Sequence, residues 1–154
     1  MTSEHVKIVT VNRKARHEYH IVEEIEAGLV LHGTEVKSIR QGRVNLKDAY
    51  GRFNKQGELY IYQMHISPYA FAYYDNHEPE RPRKLLLHKS ELKRLMGKSR
   101  EKGYTLIPTK VYFKQGKAKI VIALARGKRE YDKREAIKGR EVKRELDRAI
   151  KEYK

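Results

Sequence analysis

Arg13, Lys14 and Arg16 place three cations in one short run, Asn12-Arg13-Lys14-Ala15-Arg16-His17. Such a run suits contacts to the phosphates of a polynucleotide, each neutralised phosphate releasing condensed counterions. The plainer alternative is a solvated basic arm. The whole chain leans the same way, with 35 Lys/Arg against 20 Asp/Glu and a net charge of +15. Charge of that size, with a pI near 9.9, points to a polyanionic partner, nucleic acid first. A second candidate lies at Tyr69, Phe71, Tyr73 and Tyr74, which lead into the Pro-broken segment Pro79-Glu80-Arg81-Pro82-Arg83-Lys84. Aromatics beside cations can stack bases and hold phosphates. The same rings could equally pack this loop onto the body of the fold.

Other chemistry finds no support. The seven histidines (5, 17, 20, 32, 65, 77 and 88) form no H-x-x-x-H or H-x-x-E-H arrangement on a helix, so no metal site is expected. No Walker loop, G-x-G-x-x-G or G-x-S-x-G elbow occurs. Glu23 and Glu24 are neighbours on a strand, hence point to opposite faces and make no acid/base pair. No catalytic residue, enzyme activity or cofactor is expected. The chain has no cysteine, which excludes disulfides and thiolate metal sites. An acidic membrane surface would attract the charge, but no run of about 18 apolar residues could span a bilayer. Nor does a basic amphipathic segment carry bulky Trp or Phe anchors. Without an apolar leader region near its start, the chain is expected in the cytoplasm.

The elements that must position these residues follow from periodicity. Residues 6–11 suggest a short strand. Residues 19–32 suggest a longer one, bulged or bent near Glu23-Glu24 where alternation breaks. Gly33 then turns the chain and Thr34 can cap a short helix. Glu35 sits in its first turn, at the positive end of the helix dipole. Val36 and Ile39 give that helix an apolar seat, Lys37 and Arg40 share another face, and Gly42 suits the left-handed residue that ends it. Residues 44–53 alternate as a strand, Asn54-Lys55-Gln56-Gly57 forms a hairpin turn, and residues 58–66 form the return strand. Residues 67–84 are irregular, and Leu85-Leu86-Leu87 make a short buried strand or helix approach. Residues 88–102 have helical spacing, with Leu92, Leu95 and Met96 inward, Ser90 as a start and Gly103 as a stop. A last hairpin pairs residues 104–113 with 118–125. These elements predict a mainly β fold with helices, a small barrel of the oligonucleotide-binding type over residues 1–127, with one short and one longer helix.

Past Gly127 the composition changes. Residues 128–154 hold eleven Lys/Arg and seven Asp/Glu, a net +4. Val142, Leu146, Ala149, Ile150 and Tyr153 make only a thin stripe at helical spacing. Gly139 interrupts it at about 1 kcal/mol relative to Ala. The composition therefore predicts a basic tail, disordered or partly helical alone, that folds on a partner. The alternative is a C-terminal helix packed on the barrel.

Several stretches together resemble the small protein B family, the SsrA-binding proteins of bacterial ribosome rescue. They are Asn12-Arg13-Lys14-Ala15-Arg16-His17-Glu18-Tyr19, Glu26-Ala27-Gly28-Leu29, Gly33-Thr34-Glu35-Val36-Lys37-Ser38-Ile39-Arg40 and Arg83-Lys84-Leu85-Leu86-Leu87-His88. Glu101-Lys102-Gly103-Tyr104-Thr105, Gly127-Lys128 and Asp132-Lys133-Arg134 follow in the family's order. Ala49 replaces the serine usual before the tyrosine. The resemblance implies a monomeric partner of transfer-messenger RNA and the ribosome, with the barrel gripping the RNA's tRNA-like domain. It implies RNA contacts at Glu26, Leu86 and Lys119. Asn12, Arg13, Lys14, Arg16, His17 and Tyr19 are expected on the same face, together with Lys37, Arg40, Arg83 and Lys84. It also implies that the tail enters the empty mRNA channel as a helix and reaches the decoding centre. Its expected contacts are Lys128, Tyr131, Asp132, Lys133, Arg134, Lys138, Arg140, Lys143 and Arg144. A generic structured-RNA binder on the same barrel would share the charge and fold but not these ordered motifs. An RNA-processing enzyme would need an active site that the residues do not offer.

Overall fold

The computed structural model describes residues 6–72 and 74–127. In order, the first half contains β1 (Val6–Val11), α1 (Arg13–Glu18), β2 (Tyr19–Leu29), α2 (Gly33–Arg40), β3 (Val44–Asn45) and β4 (Tyr50–Phe53). The second contains β5 (Leu59–Tyr62), β6 (His65–Ile66), β7 (Arg83–Leu86), α3 (Lys89–Ser99), β8 (Tyr104–Lys114) and β9 (Lys117–Gly127).

The β8–β9 hairpin frames the molecule. Its two-residue turn takes Gln115 at φ 51° and Gly116 at φ 77°, the positive pair that matches strand twist. From β8 the hydrogen-bonded order runs β4, β5, β7, β2 and β9, and β9 pairs again with β8. The ring is closed and every pairing in it is antiparallel, the barrel expected from the sequence. Beyond a register shift between Pro108 and Lys110, the edge of β8 that met β4 at Leu106 is taken by β1. Proline donates no backbone hydrogen bond, so such an irregularity is where a strand tolerates it.

The inner face of β9, through Ile120, Ile122 and Leu124, joins Ile25, Leu59, Ile61 and Leu85 in the main core. Val121, Ala123 and Ala125 on its other face are buried as well. Over Ala123 and Ala125 the cover is α1, whose Ala15 packs on them and on Ile107, with Tyr19 and Ile21 at the margin. The run 12–17 is therefore a capped helix and not a solvated arm. The expected bend in β2 is a register shift between Ile21 and Glu23, within two residues of its expected place.

Two expected strands are each divided. Residues 44–53 break because Asn45 Oδ1 accepts from the Lys47 N–H at 2.8 Å and Ala49 N–H bonds Leu46 O. This turn drops Leu46 into the core. Residues 58–66 break at Gln63, whose φ is +57°. Leu59 and Ile61 face inward before it, Met64 and Ile66 after it, so the odd residue changes inward parity. The pieces β3 and β6 then pair in a small second sheet. Helix starts also shift by two residues: His32 caps α2 and His88 caps α3, where Thr34 and Ser90 had been expected.

Candidate nucleic-acid interface

Glu26, Leu86 and Lys119 lie on three different strands, and register brings them together. Gly28 pairs with Leu86 across β2–β7 and with Lys119 across β2–β9. The three line one cavity of about 310 Å³, with Ala27, Gly28, Leu87, His88 and Glu91. Gly28 keeps the floor open, since a Cβ there would stand 3.3 Å from Leu86 Cβ. Leu86 is 53% exposed, an apolar surface suited to a sugar or base plane. A neighbouring groove of about 370 Å³ shares Gly28, Leu86 and Lys119 and runs on to Val36 and Lys117.

The Glu26 carboxylate is held by its neighbours. Oε2 accepts from the Tyr112 hydroxyl and lies 3.5 Å from Lys114 Nζ. The Tyr112 bond, with Lys114 and Lys119 nearby, holds this carboxyl below its ordinary pKa against the opposing effect of desolvation. It is ionised at neutral pH.

Helix α1 occupies the same outer face further along β2. Arg16 pairs with Glu24 at 3.4 Å, and Glu24 and Glu26 share a side because strand side chains alternate. Arg13, Arg16 and His17 are exposed, and Lys14 lies between Glu18 at 3.9 Å and Asp48 at 3.8 Å. Tyr19 is half-buried against the small cluster under α1. On α2, Lys37 stands 5.4 Å from the Tyr69 ring centroid and Arg40 5.8 Å from that of Phe113, both exposed. Lys84 is outward on β7, paired with Glu58 at 2.6 Å.

Two expected contact residues are not at the surface. Asn12 is buried: its Oδ1 accepts from the Ala15 N–H and its Nδ2 donates to Leu46 O and Pro108 O. It caps α1 and staples it to the barrel. Arg83 is fully buried, its Nε 2.5 Å from Glu35 Oε2 and its remaining nitrogens bonded to the carbonyls of Met64, Glu78 and Pro79. Arg81 reaches the other Glu35 oxygen at 2.6 Å. A guanidinium so enclosed does not reach the surface. The tail residues Lys128, Tyr131, Asp132, Lys133, Arg134, Lys138, Arg140, Lys143 and Arg144 lie outside the described residues.

Tyr112 and Lys114 had not been expected at the site. Their trace in the sequence is the alternation Lys110, Tyr112, Lys114 on an otherwise apolar strand, polar positions that β8 turns outward. Among the described residues no His/Asp/Glu group could hold a metal ion, and no helix is long and apolar enough to cross a membrane.

A family model described as SmpB protein matches residues 9–152. The chain belongs to the SmpB family. An SsrA-binding protein of Pelotomaculum thermopropionicum is 62% identical over 147 residues, covering 96% of this chain and 95% of the relative. One of Syntrophobacter fumaroxidans is 58% identical over 150 residues, covering 97% and 92%. A solved chain described as "tmRNA-SmpB: a journey to the center of the bacterial ribosome" superposes with a TM-score of 0.68. It is 52% identical and covers 81% of this chain and 87% of its own. The match spans the cavity, α1 and the tail alike, so the ordered motifs belong to one family pattern and are not scattered coincidences.

Proposed function

We propose that the protein binds the tRNA-like domain of transfer-messenger RNA and delivers it to stalled ribosomes for trans-translation. The observation that carries this reading is the convergence of Glu26, Leu86 and Lys119 on one cavity in a chain of the SmpB family. Kinship with SsrA-binding proteins supports the RNA, and the tmRNA–SmpB structure supports the ribosome. No catalytic step is assigned, and a cytoplasmic site of action follows from the partners.

The physics divides the labour. Arg13, Lys14, Arg16 and His17 on α1, with Lys37, Arg40 and Lys84, contact phosphates and make affinity fall steeply with salt. Selectivity resides in the cavity, because an A-form major groove is closed to side chains and unpaired loop bases are not. Residues 1–127 act as the RNA-binding unit and 128–154 as the ribosome-directed tail, helical in the empty mRNA channel.

Equilibrium binding of transfer-messenger RNA against an ordinary tRNA at matched salt tests the first part. A strong preference is expected, and equal affinity would leave only a generic RNA binder. Truncation after Gly127 tests the second: RNA binding survives while tagging on stalled ribosomes is lost. Survival of both would remove the tail's role.

A further inference from the structure

Resting on the reading that Glu26 faces the RNA, we propose that Tyr112 is the positioning residue that makes this carboxylate a selective acceptor. A carboxylate beside a polyanion is repelled unless it receives a hydrogen bond from it. Glu26 on β2 and Tyr112 on β8 are 86 residues apart in sequence, yet β9 lies between their strands and pairs with both. The Tyr112 side chain stands on the outer face of the barrel, and the residue is only 5% exposed. Lys110 Nζ is 5.6 Å from its ring centroid. Its hydroxyl donates to Glu26 Oε2, and Lys114 Nζ is 3.5 Å from the same oxygen. Among the described residues none donates to Oε1.

Three consequences follow from that asymmetry. Oε2 is occupied, so the carboxylate no longer spins freely and less order has to be gained when RNA binds. Two donors draw off part of its charge, which reduces repulsion of nearby phosphates. The group stays ionised and is therefore an acceptor only. Oε1 then accepts an amino, imino or ribose hydroxyl donor and rejects a carbonyl or phosphate oxygen in the same place. Leu86 and Lys119 on the facing walls of the cavity supply the apolar and cationic contacts around that bond.

Tyr112→Phe removes one oxygen and keeps the ring. In the full chain it should weaken binding of the tRNA-like domain about 5- to 10-fold, the scale of one ordinary net hydrogen bond. Affinity for a plain RNA duplex should not move and the thermal midpoint should fall only by the small amount one hydrogen bond supplies, whereas general loosening of the fold would weaken both RNAs alike. In a Glu26→Ala background, Tyr112→Phe should add no further loss. Lys114→Gln should show the same dependence on Glu26 with a smaller effect. Undiminished affinity in Tyr112→Phe, equal loss on the duplex, or full loss in both backgrounds overturns the positioning role while leaving Glu26 as a contact. Unchanged affinity in Glu26→Ala alone would overturn the contact itself, and the role of Tyr112 with it.

Discussion

Glu26 and Glu35 are both glutamates gripped by basic or hydroxylic partners, and they are used in opposite ways. Glu35 is fully buried at the start of α2, where its two oxygens bind Arg81, Arg83 and the His32 N–H. Both oxygens are engaged, and the cluster ties α2, β7 and the loop 67–82 into one block. Glu26 is exposed and spends one oxygen on Tyr112 and Lys114. Engaging both oxygens makes a structural joint; engaging one leaves an exposed acceptor. The same residue type serves both ends because what matters is how many acceptor sites remain.

The comparison breaks most sharply at Arg83. Arg83→Ala strands the buried Glu35 charge and should cost about 3–5 kcal/mol in chemical denaturation, whereas Glu35→Leu combined with Arg83→Met should recover most of it. A loss no larger than an ordinary surface change would show that Arg81 alone satisfies Glu35. At the other glutamate, Glu26→Ala should lower affinity for the tRNA-like domain about tenfold, or ~1.4 kcal/mol. Its stability should stay within about 0.5 kcal/mol, so isothermal binding and melting read different residues.

Acid titration sharpens the contrast. Burial alone would raise the Glu35 carboxyl, but the bonds from Arg81, His32 and Arg83 outweigh it and hold the group below its ordinary value of 4.5. A carboxyl with a lowered folded pKa contributes stability that is present above the unfolded value and lost as pH falls through the folded one. The denaturation midpoint should thus be level near neutrality and decline below about pH 4.5, less steeply in Glu35→Gln. The smallest effect belongs to Lys84, whose ammonium is already engaged by Glu58. Lys84→Gln should reduce the salt slope of RNA binding by one at most, and a drop matching Glu26→Ala would move Lys84 into the selective part of the site.

Local signals were legible in the sequence. Gly42, Gly57 and Gly116 mark the turns they make, each with positive φ. The spacing of Ala118, Ile120, Ile122 and Leu124 announces the inner face of β9, and the broken alternation near Glu23 announces the bulge. What stayed hidden depends on partners far along the chain. Nothing beside Arg83 distinguishes it from Lys84, since its burial is decided by Glu35, 48 residues away. Asn12 looks like part of a basic contact run until Leu46 and Pro108 supply carbonyls to its amide. Gln63 carries a backbone conformation that its residue type does not advertise, and the inward parity of two strands turns on it. The family resemblance, and no local spacing, named Glu26, Leu86 and Lys119 together as expected RNA contacts; register is what brings them to one cavity.

The Asn12 staple has a mechanical side. Its backbone N–H bonds Thr109 O at 2.6 Å, so a single residue fastens the root of α1 to β8 and to the turn after β3. Any load on α1 passes through that rivet into β8, the strand that pairs with β9 along the long hairpin. The arrangement ties a six-residue helix, too short to be stable alone, to the barrel as its chassis.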